Sequence, residues 1–239
     1  MVLGPDKAPR VLKAKKIVVA ASNLETPRLL LYSGIPGRAI GHYLCSQIYA
    51  ESEGDLPPEL VSDTLFSFLI PETEARPYQF KVMYFGGTQV GMNISGPVES
   101  RYGNFVYLDS DRTDDCGIPR IQVKFAYSDA DKALAALMAE ANRNVASVMG
   151  LTLSAKAGGR DICVDPPGGA NHDTGTCRMG DDPYTSATNR YGQIHGISGL
   201  YVADNSVIPD LGGANPTLTT VALAIRTADA VIGQAAAGD

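Results

Sequence analysis

Lys16-Ile17-Val18-Val19-Ala20-Ala21, followed by Glu25-Thr26-Pro27-Arg28-Leu29-Leu30-Leu31-Tyr32, decides the architecture. Ile17 to Ala21 is an apolar run with the length and β-branching of a buried strand. Thr26-Pro27 then starts a helix, with Thr26 as its cap and Pro27 in the first turn, where a missing N–H is tolerated. A strand feeding directly into a helix is the unit of α/β architecture.

From about Gly41 to Met149 the texture changes. Tyr78 to Tyr84, Asn104 to Leu108 and Ile121 to Tyr127 carry β-branched and aromatic residues between Gly, Pro and Asp turns, which predicts a mostly antiparallel sheet with one face covered. One helix is well marked there: Ser128 and Asp131 form a capping box, Leu134, Leu137, Met138, Ala141, Val145 and Val148 recur at helical spacing, and Gly150 closes it. The last segment returns to α/β character, with Gly199 to Ala203 as a short buried strand and Asp204 at its carboxyl end, where ligands of open α/β sheets gather. The organisation predicted is a discontinuous α/β domain, residues 1–40 and 151–239, enclosing a sheet domain of residues 41–150.

Two stretches carry chemistry: Asn171-His172-Asp173-Thr174-Gly175-Thr176-Cys177-Arg178-Met179-Gly180 and Gly213-Ala214-Asn215-Pro216-Thr217-Leu218-Thr219. They offer a proton acceptor, His172, and a hydrogen-bond donor, Asn215, a pair suited to holding and deprotonating an alcohol while its C–H leaves as hydride. Asn215 reads as the N-cap of a helix with Pro216 in its first position. Leu218, Val221, Ala222, Ile225 and Ile232 would form its buried stripe. Such a helix aims unsatisfied N–H groups at whatever precedes it, a setting suited to the anionic edge of a reduced flavin. On residue types alone, Asn215 as a plain cap and His172 as a hydrogen-bonded loop residue is the commoner case.

The run from His172 to Ile232, including Tyr201-Val202-Ala203-Asp204-Asn205-Ser206, closely resembles the C-terminal segment of the glucose-methanol-choline (GMC) flavoprotein oxidoreductases. Lys16 to Ala21 with Glu25 to Ile35 is similar to that family's second signature region. The form Ala214-Asn215-Pro216-Thr217-Leu218-Thr219, with Arg178-Met179-Gly180 upstream, is most similar to the sugar-oxidising branch around pyranose oxidase. The resemblance implies an FAD-binding fold of Rossmann type, α/β plus α+β, with an inserted mostly antiparallel substrate sheet. It implies FAD-dependent oxidation of a sugar or polyol, with His172 as base and Asn215 as its partner. Asp204 would bond the ribityl chain, the Asn205 backbone would approach the phosphates, and Pro216 and Thr217 would meet the flavin, Thr217 through its N–H. The electron acceptor, whether oxygen, quinone or a protein, stays open.

Two positions depart from the family pattern: Pro36 where the signature has Gly, and Gln47 where many members have His. The G-x-G-x-x-G turn that holds the FAD pyrophosphate does not occur in this sequence. The chain therefore reads as the C-terminal half of an enzyme whose N-terminal half is a missing partner, or as a truncated, non-catalytic relative with a binding or assembly role.

The composition agrees: 239 residues, 44% hydrophobic and 19% charged, allow a sizeable core, and a net charge of -6 gives no field for nucleic acid. No run of about 20 apolar residues suggests a membrane span, and the first residues lack the layout of a signal peptide, so a cytoplasmic location is expected. Cys45, Cys116, Cys163 and Cys177 are widely spaced and read as free thiols. Cys163, His172 and Cys177 fit no zinc spacing, and Asp109 to Asp114 lacks the Gly and Glu of a calcium loop, so no metal is expected.

Overall fold

The computed structural model describes residues 2–155 and 160–236. In chain order the elements are β1 (Val2–Leu3), β2 (Pro9–Arg10), β3 (Ile17–Val19), α1 (Ser22–Tyr32), β4 (Gln47–Asp55), β5 (Phe66–Ile70), β6 (Gln79–Tyr84) and β7 (Gln89–Pro97). They continue with β8 (Phe105–Thr113), β9 (Pro119–Lys124), α2 (Asp129–Val148), β10 (Thr152–Leu153), β11 (Cys163–Val164), β12 (Leu200–Val202) and α3 (Thr217–Ala236). The mix of a parallel strand pair with helices and an antiparallel sheet is the α/β plus α+β class that the sequence predicts.

The large sheet runs β10-β4-β7-β6-β5, with β11 also on β4, and every pairing is antiparallel. Its faces follow strand alternation. Ile48, Ala50, Val82, Met92 and Ile94 point to one side and pack with Met138 and Ala146 of α2. Gly96 lets the helix close on the sheet, since a Cβ there would stand 2.9 Å from the Met138 sulfur.

The capping box at the start of α2 is present: the Ser128 hydroxyl accepts from the Asp131 N–H, and the Asp131 carboxylate accepts from the Ser128 N–H at 2.7 Å. The helix ends in a Schellman motif, with Gly150 at φ +68° and the Leu151 N–H bonded to the Ala146 carbonyl. Its buried stripe is Asp131, Ala135, Met138, Asn142 and Ala146, whereas Leu137 and Val148, expected inside, are exposed. Two polar anchors turn the helix that way. Asp131 also accepts from the Glu99 N–H, and Asn142 accepts from the Ser52 hydroxyl at 2.6 Å.

β3 and β12 form a parallel pair, Ile17 beside Leu200 and Val19 beside Val202. β3 is not the buried strand expected: Ile17 and Val18 are exposed, because only one neighbour flanks it among the described residues. α1 begins at Ser22, four residues before the expected cap, and carries Pro27 inside it. Pro27 lacks the N–H that would bond the Asn23 carbonyl. The Thr176 hydroxyl takes that carbonyl instead.

Two separate cores organise the chain. One lies between the large sheet and α2; the other gathers Leu30, Ala39, Ile40, Cys177, Ile194, Val202 and Val207 around α1 and β12. Thr152–Leu153 and Cys163–Val164 add β10 and β11 to the large sheet. The β8–β9 hairpin stands apart from that sheet and is tied to α1 through Arg28, which donates to the Pro119 carbonyl and the Asp114 carboxylate. Asp109 to Asp114 is the end of β8 and the entry to that hairpin's turn.

Candidate active site

The His172 motif is held by close backbone fits. Thr174 and Cys45 exchange N–H···O bonds of 2.8 and 2.9 Å. Gly175 sits at φ +94°, and a Cβ there would come within 2.2 Å of the Tyr43 carbonyl oxygen. Further on, the Cys177 and Met179 N–H groups bond the carbonyls of Ser206 and Val207. The motif thus threads between the start of β4, α1 and the residues after β12.

That path delivers His172 to the face of the large sheet opposite α2. Gln47 and Tyr49, two residues apart on β4, share this face. The His172 Nδ1 lies 2.7 Å from the Gln47 side-chain oxygen and 2.6 Å from the Tyr49 hydroxyl, and that hydroxyl is 2.9 Å from the same Gln47 oxygen. The other end of the Gln47 amide donates to the carbonyls of Gly212, at 2.6 Å, and Ala214, at 3.1 Å. One side chain therefore grips both His172 and the loop that carries Asn215. Burial pushes the Tyr49 phenol up to about 12, so it is a neutral donor at physiological pH.

The same loop is pinned twice more, by the Ser95 hydroxyl on the Gly213 carbonyl at 2.6 Å and by the Glu72 carboxylate on the Gly213 N–H. α3 begins at Thr217, where the Pro216 carbonyl accepts the first helical bond from Thr220. Asn215 is therefore one residue too early to cap. Its side chain is exposed and makes no hydrogen bond among the described residues. The apolar stripe expected to be buried is open: Leu218 is 82% exposed, and Val221, Ile225 and Ile232 are exposed with it. Nothing among the described residues packs over that face.

Asp204 is fully engaged. At 8% exposure its two oxygens accept from the Ser22 N–H, the Thr26 hydroxyl, and the N–H and hydroxyl of Ser206. Four bonds occupy a carboxylate's lone-pair sites, and through them Asp204 braces α1 against the end of β12. Asn205 accepts from the Thr220 hydroxyl, which ties the strand end to the first turn of α3. Arg178 lies over the Tyr43 ring and pairs at 3.8 Å with Asp210, a structural role. His195 bonds the Ser186 hydroxyl and the Gly180 carbonyl, as a structural histidine would.

Beside His172 the sheet face is polar. Register sets Gln79, Ser95 and Tyr49 in one row and Lys81, Asn93 and Glu51 in the next. Asn93 donates to Glu51 at 2.7 Å. Burial raises the Asp173 and Asp165 carboxyls above the usual range at the margin of this face. Gln47 and Tyr49 were not among the residues picked from sequence. The signal available was alternation, Gln47-x-Tyr49-x-Glu51 polar against Ile48 and Ala50.

A strand-to-helix α/β unit is joined to an antiparallel sheet, and on the polar face of that sheet the Gln47 amide ties His172 to the carbonyls of Gly212 and Ala214. The family described as GMC oxidoreductase, in its C-terminal region, matches residues 99–224, and the chain belongs to that family. It is 31% identical to a C-glycoside 3-oxidase of Microbacterium trichothecenolyticum over 92% of this chain and 47% of that protein. It is 26% identical to a pyranose 2-oxidase of Tricholoma matsutake over 92% and 47% of the two chains. The solved structure of pyridoxine 4-oxidase from Mesorbium loti superposes with a TM-score of 0.67 at 18% identity, covering 95% of this chain and 53% of that one, and it bears out the fold. The chain spans about half the length of the curated relatives it matches. No helix among the described residues is long and apolar enough to cross a membrane.

Proposed function

We propose that this chain supplies the substrate face and the proton-handling residues of an FAD-dependent alcohol oxidoreductase acting on a sugar or other polyol. The observation that carries the reading is the Gln47 amide, which holds His172 on one side and the Asn215 loop on the other. In this reading His172 accepts the hydroxyl proton and Asn215, free of capping duty, donates to the same oxygen and orients it. The polar side chains of Tyr49, Gln79, Lys81, Asn93 and Glu51 on this face suit a substrate with several hydroxyls. The relatives named for C-glycoside and pyranose oxidation support that substrate class.

The residues present fit one part of a flavin. The N–H groups of Thr217, Leu218 and Thr219 precede the first helical bond of α3, so they are open donors at the positive end of the helix. Pro216 and Thr217 line that end, and Asn205 fixes it through Thr220. Bound there, FAD would supply the acceptor for the hydride from the carbinol carbon. A pyrophosphate cradle is not among this chain's motifs, and the open apolar face of α3 supports a further segment carrying it. A hollow of about 630 Å³ beside β3, lined by Leu12, Lys16, Val19, Leu29, Ile35 and Leu200, supports the same reading.

The test uses the enzyme completed with that segment. His172→Ala should lower the rate of flavin reduction by substrate on the order of 10²-fold, the scale of a lost general base, with flavin content unchanged. An unchanged rate would place the base elsewhere.

A further inference from the structure

We propose that Gln47 is a positioning residue that fixes the neutral His172 ring with its proton on Nδ1, leaving Nε2 as the bare acceptor. The catalytic meaning of this rests on the reading of His172 as the base, but the proton placement follows from hydrogen-bond geometry alone.

The orientation of the Gln47 amide is set by its neighbours. The carbonyl oxygens of Gly212 and Ala214 can only accept, so the end facing them is the nitrogen, at 2.6 and 3.1 Å. The end facing His172 and Tyr49 is then the oxygen, which can only accept. At 1% exposure this amide has no water to soften a wrong pairing. A ring nitrogen 2.7 Å from that oxygen must carry a proton.

Tyr49 closes the triangle. Its single proton can go to the Gln47 oxygen or to His172 Nδ1, at 2.9 and 2.6 Å. Given to Nδ1, it would leave two lone pairs, on Nδ1 and the Gln47 oxygen, opposed at 2.7 Å. Given to Gln47, it satisfies the amide and turns the phenol oxygen's lone pair toward the Nδ1–H. Only the second arrangement has a proton in every short contact. The Nε2 lone pair has no partner among the described residues. A base is useful only at the nitrogen that lacks a proton, so the tautomer decides whether His172 can accept from a substrate. The same amide holds the carbonyl of Ala214, next to Asn215, so base and donor share one fixed support.

The test is ¹⁵N NMR of the histidine rings in the 239-residue chain, at a pH where the imidazoles are neutral, with His172 assigned by the signal lost in His172→Asn. The wild-type ring should show a protonated Nδ1 and an unprotonated Nε2. Tyr49→Phe should keep that tautomer, because the Gln47 oxygen remains. Gln47→Met removes the acceptor, so the Tyr49 proton should turn to Nδ1 and the tautomer should reverse. In the completed enzyme Gln47→Met should slow flavin reduction on the order of 10²-fold. A wild-type ring protonated on Nε2 overturns the proposal, as does an unreversed tautomer in a Gln47→Met chain that melts normally. If Gln47→Met does not fold, the wild-type and Tyr49→Phe spectra decide. The spectra need neither substrate nor flavin. An Nδ1–H ring alongside an unaffected His172→Ala enzyme would therefore sink the catalytic reading and leave the proton placement standing.

Discussion

The Thr176 hydroxyl donates to the carbonyl of Asn23, the one oxygen of α1 that Pro27 leaves without a helical donor. Both residues are buried, Thr176 completely. A proline that should break a helix is thus absorbed by a side chain from the motif that carries His172.

The consequence is measurable. Thr176→Val keeps the shape but leaves a buried carbonyl unpaired, which should cost about 1–3 kcal/mol in denaturant unfolding, whereas Thr176→Ser should cost less. Pro27→Ala restores a helical N–H to that carbonyl. In a double-mutant cycle, the cost of Thr176→Val should therefore fall in the Pro27→Ala background. Additive effects would mean that the hydroxyl is not what satisfies Asn23.

Gly175 has a sharper requirement. Its φ of +94° and the 2.2 Å approach of a Cβ to the Tyr43 oxygen involve rigid backbone on both sides. Gly175→Ala should destabilise the chain by more than about 1 kcal/mol. It should also weaken the Thr174–Cys45 pairing that delivers His172 to Gln47, which would show as faster amide exchange at Cys45 and Thr174. A normal melt and normal exchange would show that the loop can move aside.

What the sequence made legible follows from where each signal is stored. The capping box of Ser128 and Asp131 and the Gly150 terminus are local, so α2 was readable to within a residue. The face of α2 was not, because Asn142 and Asp131 are buried by partners, Ser52 and the Glu99 N–H, that lie far away in sequence. The start of α1 was misplaced because Pro27 is a valid first-turn signal until Thr176 is seen beside Asn23. β4 escaped notice because its inner face is Ile48, Ala50, Ser52 and Gly54, small or polar residues that fit under α2 and give little apolar pattern. Gln47 was visible only as a departure from a family pattern. Its role depends on Gly212, Ala214 and His172 converging from more than 120 residues away.

The open face of α3 gives a paired expectation. Leu218→Glu and Ile225→Glu alter exposed positions, so the isolated chain should melt within about 0.5 kcal/mol of wild type. Both should weaken association with a segment bearing the FAD cradle, measured by titration calorimetry. The isolated chain should also purify with little flavin, since it offers helix N–H donors but no pyrophosphate turn. A stoichiometric flavin spectrum from this chain alone, or destabilisation by either glutamate, would contradict the assignment of that face.

Asn215 offers the cleanest separation of scaffold from chemistry. Were it the N-cap of α3, replacement by Ala would cost about 1 kcal/mol, and Asp or Ser would rescue it. The helix starts instead at Thr217 and the Asn215 side chain is unbonded, so Ala, Ser and Asp should all leave the thermal melt of the chain unchanged. In the completed enzyme the three should diverge. Ala removes the donor. Ser keeps a donor on a shorter arm, and Asp sets a carboxylate where negative charge develops on the substrate oxygen. Stopped-flow flavin reduction should therefore be slowest for Asp, intermediate for Ala and least affected for Ser. Equal melts with that order would assign Asn215 to the reacting oxygen. Melts that fall for Ala and recover for Asp would return it to capping, and equal reduction rates would remove it from the mechanism.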